Sequence, residues 1–230
     1  NNPSSKNANS YLRIINPSDT SAYNRERNVG YICGARLYNA TERTLSGLMG
    51  MLYRVDPDLP DLPPGLDYLI EDCDGAGTGI VQHSQSVSSD VISLGRDGLL
   101  VDMPRKDDGT EITRADVADG FRAHIHEYKA ESILDWHSSK VGGVVKLDLL
   151  VLLEVETDID PEDDLGIRRV DVNVYKIYRL EEEGVSVQVV RDSTGQELNR
   201  GEVIPVMSSG GVRMQTIPFS FVGSKDNQPC

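Results

Sequence analysis

The chain has 230 residues, enough for one or two domains and for a real core. Only 38% of it is apolar and 6% aromatic, so that core is thin or is completed by partners. An excess of 37 acidic over 23 basic residues gives a formal charge of −14. This argues against a nucleic-acid grip built on phosphate neutralisation, but not against a surface past which DNA slides. The cysteines Cys33, Cys73 and Cys230 are odd in number and far apart. They imply no disulfide framework, and a reducing, intracellular site of synthesis is expected. No run reaches the ~18 apolar residues of a membrane span, and no signal peptide is visible. The sequence starts at Asn1 without a methionine and stops at Cys230, as a piece of a longer protein would.

Residues 1–21, rich in Asn, Ser and Pro, read as a flexible N-terminal arm, with Ser18 or Asp19 capping the next element. From Ala22 to Val55 the spacing predicts one long helix, kinked if anywhere at its glycines. Val29, Cys33, Leu37, Ala40, Leu45, Leu48 and Leu52 form its apolar stripe, with Cys33 as a small core residue. At ~1.5 Å per residue it would be on the order of 50 Å long, which asks for a partner along its length. Gly30, Gly34, Gly47 and Gly50 within it call for a bend or for close packing. Asp56 to Pro64, with its repeated prolines, is an extended, stiff spacer.

The stretch Leu69 to Pro104 organises the chain. Asp72, Asp74, Gly75, Gly77 and Gly79 make an acidic glycine loop, and Thr78 is the expected cap of a helix. Val81, Ser84, Val87, Val91 and Leu94 form that helix's apolar face, and Gly95 its left-handed stop. Arg96-Asp97-Gly98 is expected to turn the chain into a buried strand at Leu99-Leu100-Val101. Lys106 to Gly109 reads as a charged turn and Thr113 to Asp119 as a short capped helix. Phe121 to Trp136 is strand-like with a break near Lys129, and Trp136 is expected in the core.

Beyond Gly142 the pattern becomes strand after strand. The candidates are Val144–Val155, Ile167–Leu180, Val185–Val190 and Val212–Val222, with turns at Glu181–Gly184 and Asp192–Gly195. In the second, Val170, Val172, Val174, Tyr178 and Leu180 share one face, and Arg169, Asp171 and Asn173 the other. The acidic run Glu154, Glu156, Asp158, Asp160, Glu162, Asp163 and Asp164 reads as a solvated connection. The expected fold class is α+β: a long N-terminal helix and a mixed helix/strand part over 22–140, an antiparallel meander over 141–223, and a tail at 224–230.

The loop at Asp72 starts like a calcium loop, but its twelfth position is His83 where a bidentate Glu is required. Gly75-x-Gly77-x-Gly79 has the wrong spacing for a dinucleotide fingerprint, so a structural turn is the expectation. His124 and His126 would share a strand face, with Asp135 and His137 near in sequence, but nothing completes a metal set. No nucleophile elbow is present and no cysteine sits among cations. The expectation is no catalytic, cofactor-binding or metal-ligating residue, no cofactor, and no enzyme. A hydrolase or metal-dependent enzyme using Asp72, Asp74, His124 and His126 is the weaker alternative.

Several segments, taken in order, carry a resemblance. They are Tyr38-Asn39-Ala40-Thr41-Glu42-Arg43-Thr44-Leu45-Ser46-Gly47-Leu48, the loop Asp72-Cys73-Asp74-Gly75, and Gly95-Arg96-Asp97-Gly98-Leu99-Leu100-Val101-Asp102. Tyr128-Lys129-Ala130-Glu131-Ser132-Ile133-Leu134-Asp135-Trp136 and Ile217-Pro218-Phe219-Ser220-Phe221-Val222-Gly223 complete the set. Together, over residues 23–223, they resemble a family of tailed-phage and prophage proteins of unassigned domain name that is regarded as portal-like. More broadly, the order of elements is similar to that of tailed-bacteriophage portal proteins. The resemblance implies a structural subunit of a homo-oligomeric ring, usually of about twelve copies, forming the DNA channel at one capsid vertex. It also implies the major capsid protein, the terminase and head-completion or tail adaptor proteins as partners. Double-stranded DNA would pass through without sequence-specific binding, and no membrane is involved. The location implied is the virion, after synthesis in the host bacterial cytoplasm. Whole portals are much longer, so this chain would be the outer, wing-like part, with the stem and clip region beyond residue 230. Another phage neck, adaptor or decoration protein is the alternative structural reading.

Overall fold

A computed structural model describes residues 12–36, 38–59, 62–63, 65–103, 113, 121–160, 163, 165–192, 199–208 and 211–223. The charged turn at 106–109, the short helix expected over 113–119, the 193–195 part of the second turn and the tail at 224–230 lie outside these, Thr113 excepted. So do residues 1–11 of the arm. The chain divides into two compact units, Asn1–Ser46 and Gly47–Cys230.

In the first unit a serine starts the first helix, α1 (Ala22–Gly34). Ser21 Oγ accepts from the Asn24 amide at 3.1 Å, satisfying a donor of the open first turn. The cap is therefore Ser21. Asp19 acts one step earlier, accepting from the Ser21 amide at 2.9 Å, and Ser18 plays no such part. The buried Asn24 side chain donates to the carbonyls of Asn16 and Asp19 at 2.8 and 2.7 Å, tying the lead-in to the helix.

The single long helix expected from Ala22 to Val55 is not formed. Ala35 is extended (φ −62°, ψ 132°), and a second helix, α2 (Ala40–Leu52), starts afresh. The restart is local chemistry: Asn39 Oδ1 accepts from the Glu42 amide at 3.0 Å and Asn39 Nδ2 donates to Glu42 Oε2 at 2.7 Å. An asparagine competes better as a cap than as an interior helix residue, and Gly34 offers little resistance to ending the turn. The apolar stripe is not a buried one. Only Asn24 and Ile32 are buried in α1, α2 has no buried residue, and Cys33 is exposed rather than in a core. Gly30, Gly34, Gly47 and Gly50 have open space where a Cβ would stand, so the break, not close packing, answers their presence.

The second unit is layered. After a 3₁₀ turn (Asp67–Ile70) and the glycine loop comes α3 (Ile80–Leu94). Its cap is Gly79, with no side-chain bond, instead of Thr78, and Gly95 ends it in the left-handed conformation (φ 84°) that glycine adopts freely. The strand β1 (Arg96–Asp102) comes at once, so Arg96-Asp97-Gly98 is strand rather than turn. Next are β2 (His124–Lys129), a 3₁₀ turn (Ala130–Ser132), β3 (Ile133–Val141) and β4 (Val144–Ile159). The chain continues through β5 (Arg169–Glu181), β6 (Gly184–Asp192), β7 (Asn199–Pro205) and β8 (Phe219–Gly223). The break expected near Lys129 is the 3₁₀ turn. Of the candidate Val212–Val222 only the end is strand, and β7 is unforeseen.

The fold is α+β. Strands β3-β4-β5-β6-β7 form an antiparallel meander, while β1 lies between β2 and β8 in a separate three-stranded antiparallel sheet. Side chains alternate across β1. Leu100 faces the five-stranded sheet with Tyr128, Phe221, Leu150, Leu152 and Tyr178 in one core. Asp97 faces the other way, toward α3. Gly98 is required by this packing, because a Cβ there would strike the Phe219 ring and lie 2.9 Å from Ile133 Cδ1. Trp136 borders the core, 5.4 Å from Phe221, with the Arg96 guanidinium over its ring at 4.4 Å. The face alternation expected of β5 is present: Val172, Val174 and Tyr178 are buried, and Arg169, Asp171 and Asn173 exposed. Of the acidic run, Glu154, Glu156 and Asp158 belong to β4 itself, and the connection begins only after Ile159. There Asp163 accepts from the amides of Leu165, Ile167 and Arg168 and shapes the turn into β5. Among the described residues no helix is long and apolar enough to cross a membrane.

Candidate functional site

The glycine loop is held by its own carboxylates. Asp72 Oδ1 accepts from the amides of Gly75 and Gly77 at 2.8 and 3.0 Å; Asp74 Oδ1 accepts from Ala76 and Thr78 at 2.8 and 3.1 Å. Gly75 and Gly77 take positive φ (81° and 88°), as such a tight turn requires. Burial pushes Asp74 upward, but the Thr78 side chain and the loop amides outweigh it and hold the carboxyl at about 2. Asp72 Oδ2 meets the Arg122 guanidinium at 3.3 Å. These carboxylates are spent on the turn, which is the structural role expected of it. Cys73 within the loop is fully buried, and burial, followed by Asp74 and Asp72, pushes its thiol up to about 11. It is no nucleophile at neutral pH.

The loop rests on β2, with the Ile125 amide donating to the Cys73 carbonyl at 2.7 Å and the His124 ring packed beside Gly75. His124 and His126 share one face, as their spacing requires, with ring centroids 6.4 Å apart. Asp135 and His137 lie on β3 in the other sheet, and His137 Nδ1 is 2.7 Å from Asp148 Oδ1 instead. Burial lowers the His126 pKa, with Asp102 opposing it. Among the described residues no three His, Cys, Asp or Glu side chains are placed to hold a metal ion.

What the fold does assemble is an acidic cleft of about 1050 Å³ beside β2, between the glycine loop with α3 on one side and β4 on the other. Asp74, Glu127, Glu131, Glu154 and Glu156 line it, together with His83, Ser86 and Tyr128. Tyr128 donates to Glu154, which also pairs with Lys176 Nζ at 2.7 Å, so one carboxylate ties the two sheets together. Burial, reinforced by Glu154, holds the Tyr128 phenol well above its ordinary range. Arg191 meets Glu156 at 2.8 Å.

Behind the cleft, between α3 and the three-stranded sheet, Asp90 and Asp97 converge on Glu127. Ser86 Oγ donates to Glu127 Oε1 at 3.1 Å, and Lys129 Nζ lies 3.4 Å from Asp90 Oδ2. Asp97 is fully buried, and neither of its oxygens has a partner in full hydrogen-bond geometry, although the Gly98 amide is close enough to favour the anion. Burial pushes Asp97 up to about 7; Glu127 and Asp90 add to the rise and Lys129 opposes it. Glu127 is raised chiefly by burial and also by Asp90. His83 is 7% exposed, and its buried Nε2 has no partner.

The sequence reading missed Asp97, Glu127, Glu154 and His83. The signal for His83 is present, since it lies four residues before Val87 on the inward face of α3. Asp97 is disguised by a turn-like Arg-Asp-Gly. Fold and cleft thus define an α+β protein with a carboxylate-lined surface cleft. No protein-family model matches the chain, and no curated protein matches it.

Proposed function

We propose that this chain is a structural subunit of a phage portal, the head–tail connector ring that forms the DNA channel at one capsid vertex for genome packaging and ejection. The ordered segments from Tyr38 to Gly223 are the origin of the reading, with this chain as a wing-like part. The observation that carries it furthest is α2, thirteen residues long without one buried side chain. An isolated helix of that length is marginal in water and depends on a packed face. Met51 is 69% exposed and Tyr38, just before the helix, 74%, so a neighbouring subunit is the natural source of that face. The excess of carboxylates suits a wall that must let DNA pass without holding its phosphates. Virion location and contacts with the major capsid protein, terminase and neck proteins belong to the same proposal.

Native mass spectrometry of the purified protein tests the reading. A closed oligomer of uniform copy number is expected. A species that remains monomeric at the highest attainable concentration would contradict it.

A further inference from the structure

We propose that the acidic cleft along β2 is the receptor for the Arg36–Arg43 corner of a second copy of this chain, giving a head-to-tail contact. The inference deepens the ring reading and rests on it, because a ring needs a heterologous interface.

The two units have opposite charge. Residues 1–46 carry six basic against three acidic side chains, and residues 47–230 carry 17 against 34. In the cleft, Glu154 and Glu156 are matched by Lys176 and Arg191, but Glu131 has no ion pair among the described residues. The partly buried Glu127 accepts from the Ser86 hydroxyl, has Asp90 close beside it, and stays raised. A second observation points to a ligand. His83, more than nine-tenths buried in the cleft wall, has an Nε2 without a partner. A cleft of this volume admits a few side chains rather than a whole helix.

The end of α1 and the first turn of α2 offer such side chains, with Arg36 just after α1 and Arg43 within α2. Arg36 and Arg43 are exposed and make no ion pair among the described residues, and Tyr38 stands between them, largely exposed. Arginine suits carboxylate pairs in a fork geometry, and the exposed Val155 on the cleft wall gives the Tyr38 ring an apolar seat. Since each copy has one basic corner and one acidic cleft, the contact repeats from copy to copy.

Charge exchange in the full-length protein tests this. One variant carries Arg36→Glu and Arg43→Glu, the other Glu131→Lys and Glu156→Lys. Circular dichroism and thermal melting confirm that each folds, and sedimentation velocity reads assembly. Each variant alone should self-associate on the order of tenfold more weakly or worse, and an equimolar mixture should recover, because each basic surface then meets an acidic one. Assembly of the wild type should also weaken with salt. Rings formed equally well by each variant alone would overturn the contact while leaving the ring reading standing. Failure of the mixture to recover would also overturn the contact. A wild type that stays monomeric would overturn both.

Discussion

Asp97 stands where water does not reach it and where two other acids approach. Its carboxyl is raised to about 7 from an ordinary 3.8, first by burial. The folded state therefore binds this proton more tightly than the unfolded chain does. The stability of the neutral form is fully present below about pH 4 and is lost as pH rises toward 7. Asp97→Asn removes the charge while keeping the shape. It should stabilise the protein by on the order of 3 kcal/mol at pH 8 and by little at pH 4, as read by urea unfolding at both values. An equal gain at both would mean that charge is not the cause. Asp74 has the opposite sign: its carboxyl is held at about 2, so its contribution is present above the ordinary value and lost as pH falls through that range. Gly98 is fixed by space alone. Gly98→Ala should cost about 1–3 kcal/mol, because the added methyl meets Phe219 and Ile133 in a filled core.

At the scale of elements, what sequence reveals depends on how local the cause is. The stop of α3 is legible because a glycine after a periodic apolar stretch has a single-residue explanation. The inward face of β5 is legible because alternation reports burial directly. The long helix fails where two readings of one stretch compete: the apolar spacing runs on through Gly34 to Asn39, yet a cap at Asn39 restarts the chain. Asn39→Ala should therefore lower the stability of α2 by about 1 kcal/mol, with faster hydrogen exchange at the Glu42 amide and its neighbours. Exchange unchanged at those amides would count against the cap. β7, Asn-Arg-Gly-Glu-Val-Ile-Pro, is invisible to local reasoning. All seven of its residues are exposed, and it is a strand only because β6 supplies its hydrogen-bond partners. The cleft is equally non-local. His83, Glu127 and Glu154 come from three elements, and no spacing announces that they meet.

At the scale of the whole molecule, the second unit is organised around a buried core, while α1 in the first unit and α2, which runs across the division between the units, bury almost nothing. The first is basic within an otherwise acidic chain. Both features are what the proposed assembly, in which each copy completes its neighbour, would use. The carboxylates that looked most chemical in the sequence, Asp72 and Asp74, hold a turn, and within the cleft Glu154 and Glu156 are paired with Lys176 and Arg191. The proposed ring is what distinguishes this reading from a lone acidic chain. Negative-stain imaging of the purified protein tests it most directly. Particles with a central hole and one uniform number of subunits are the predicted result. A field of single small particles, unchanged as concentration rises, would contradict it.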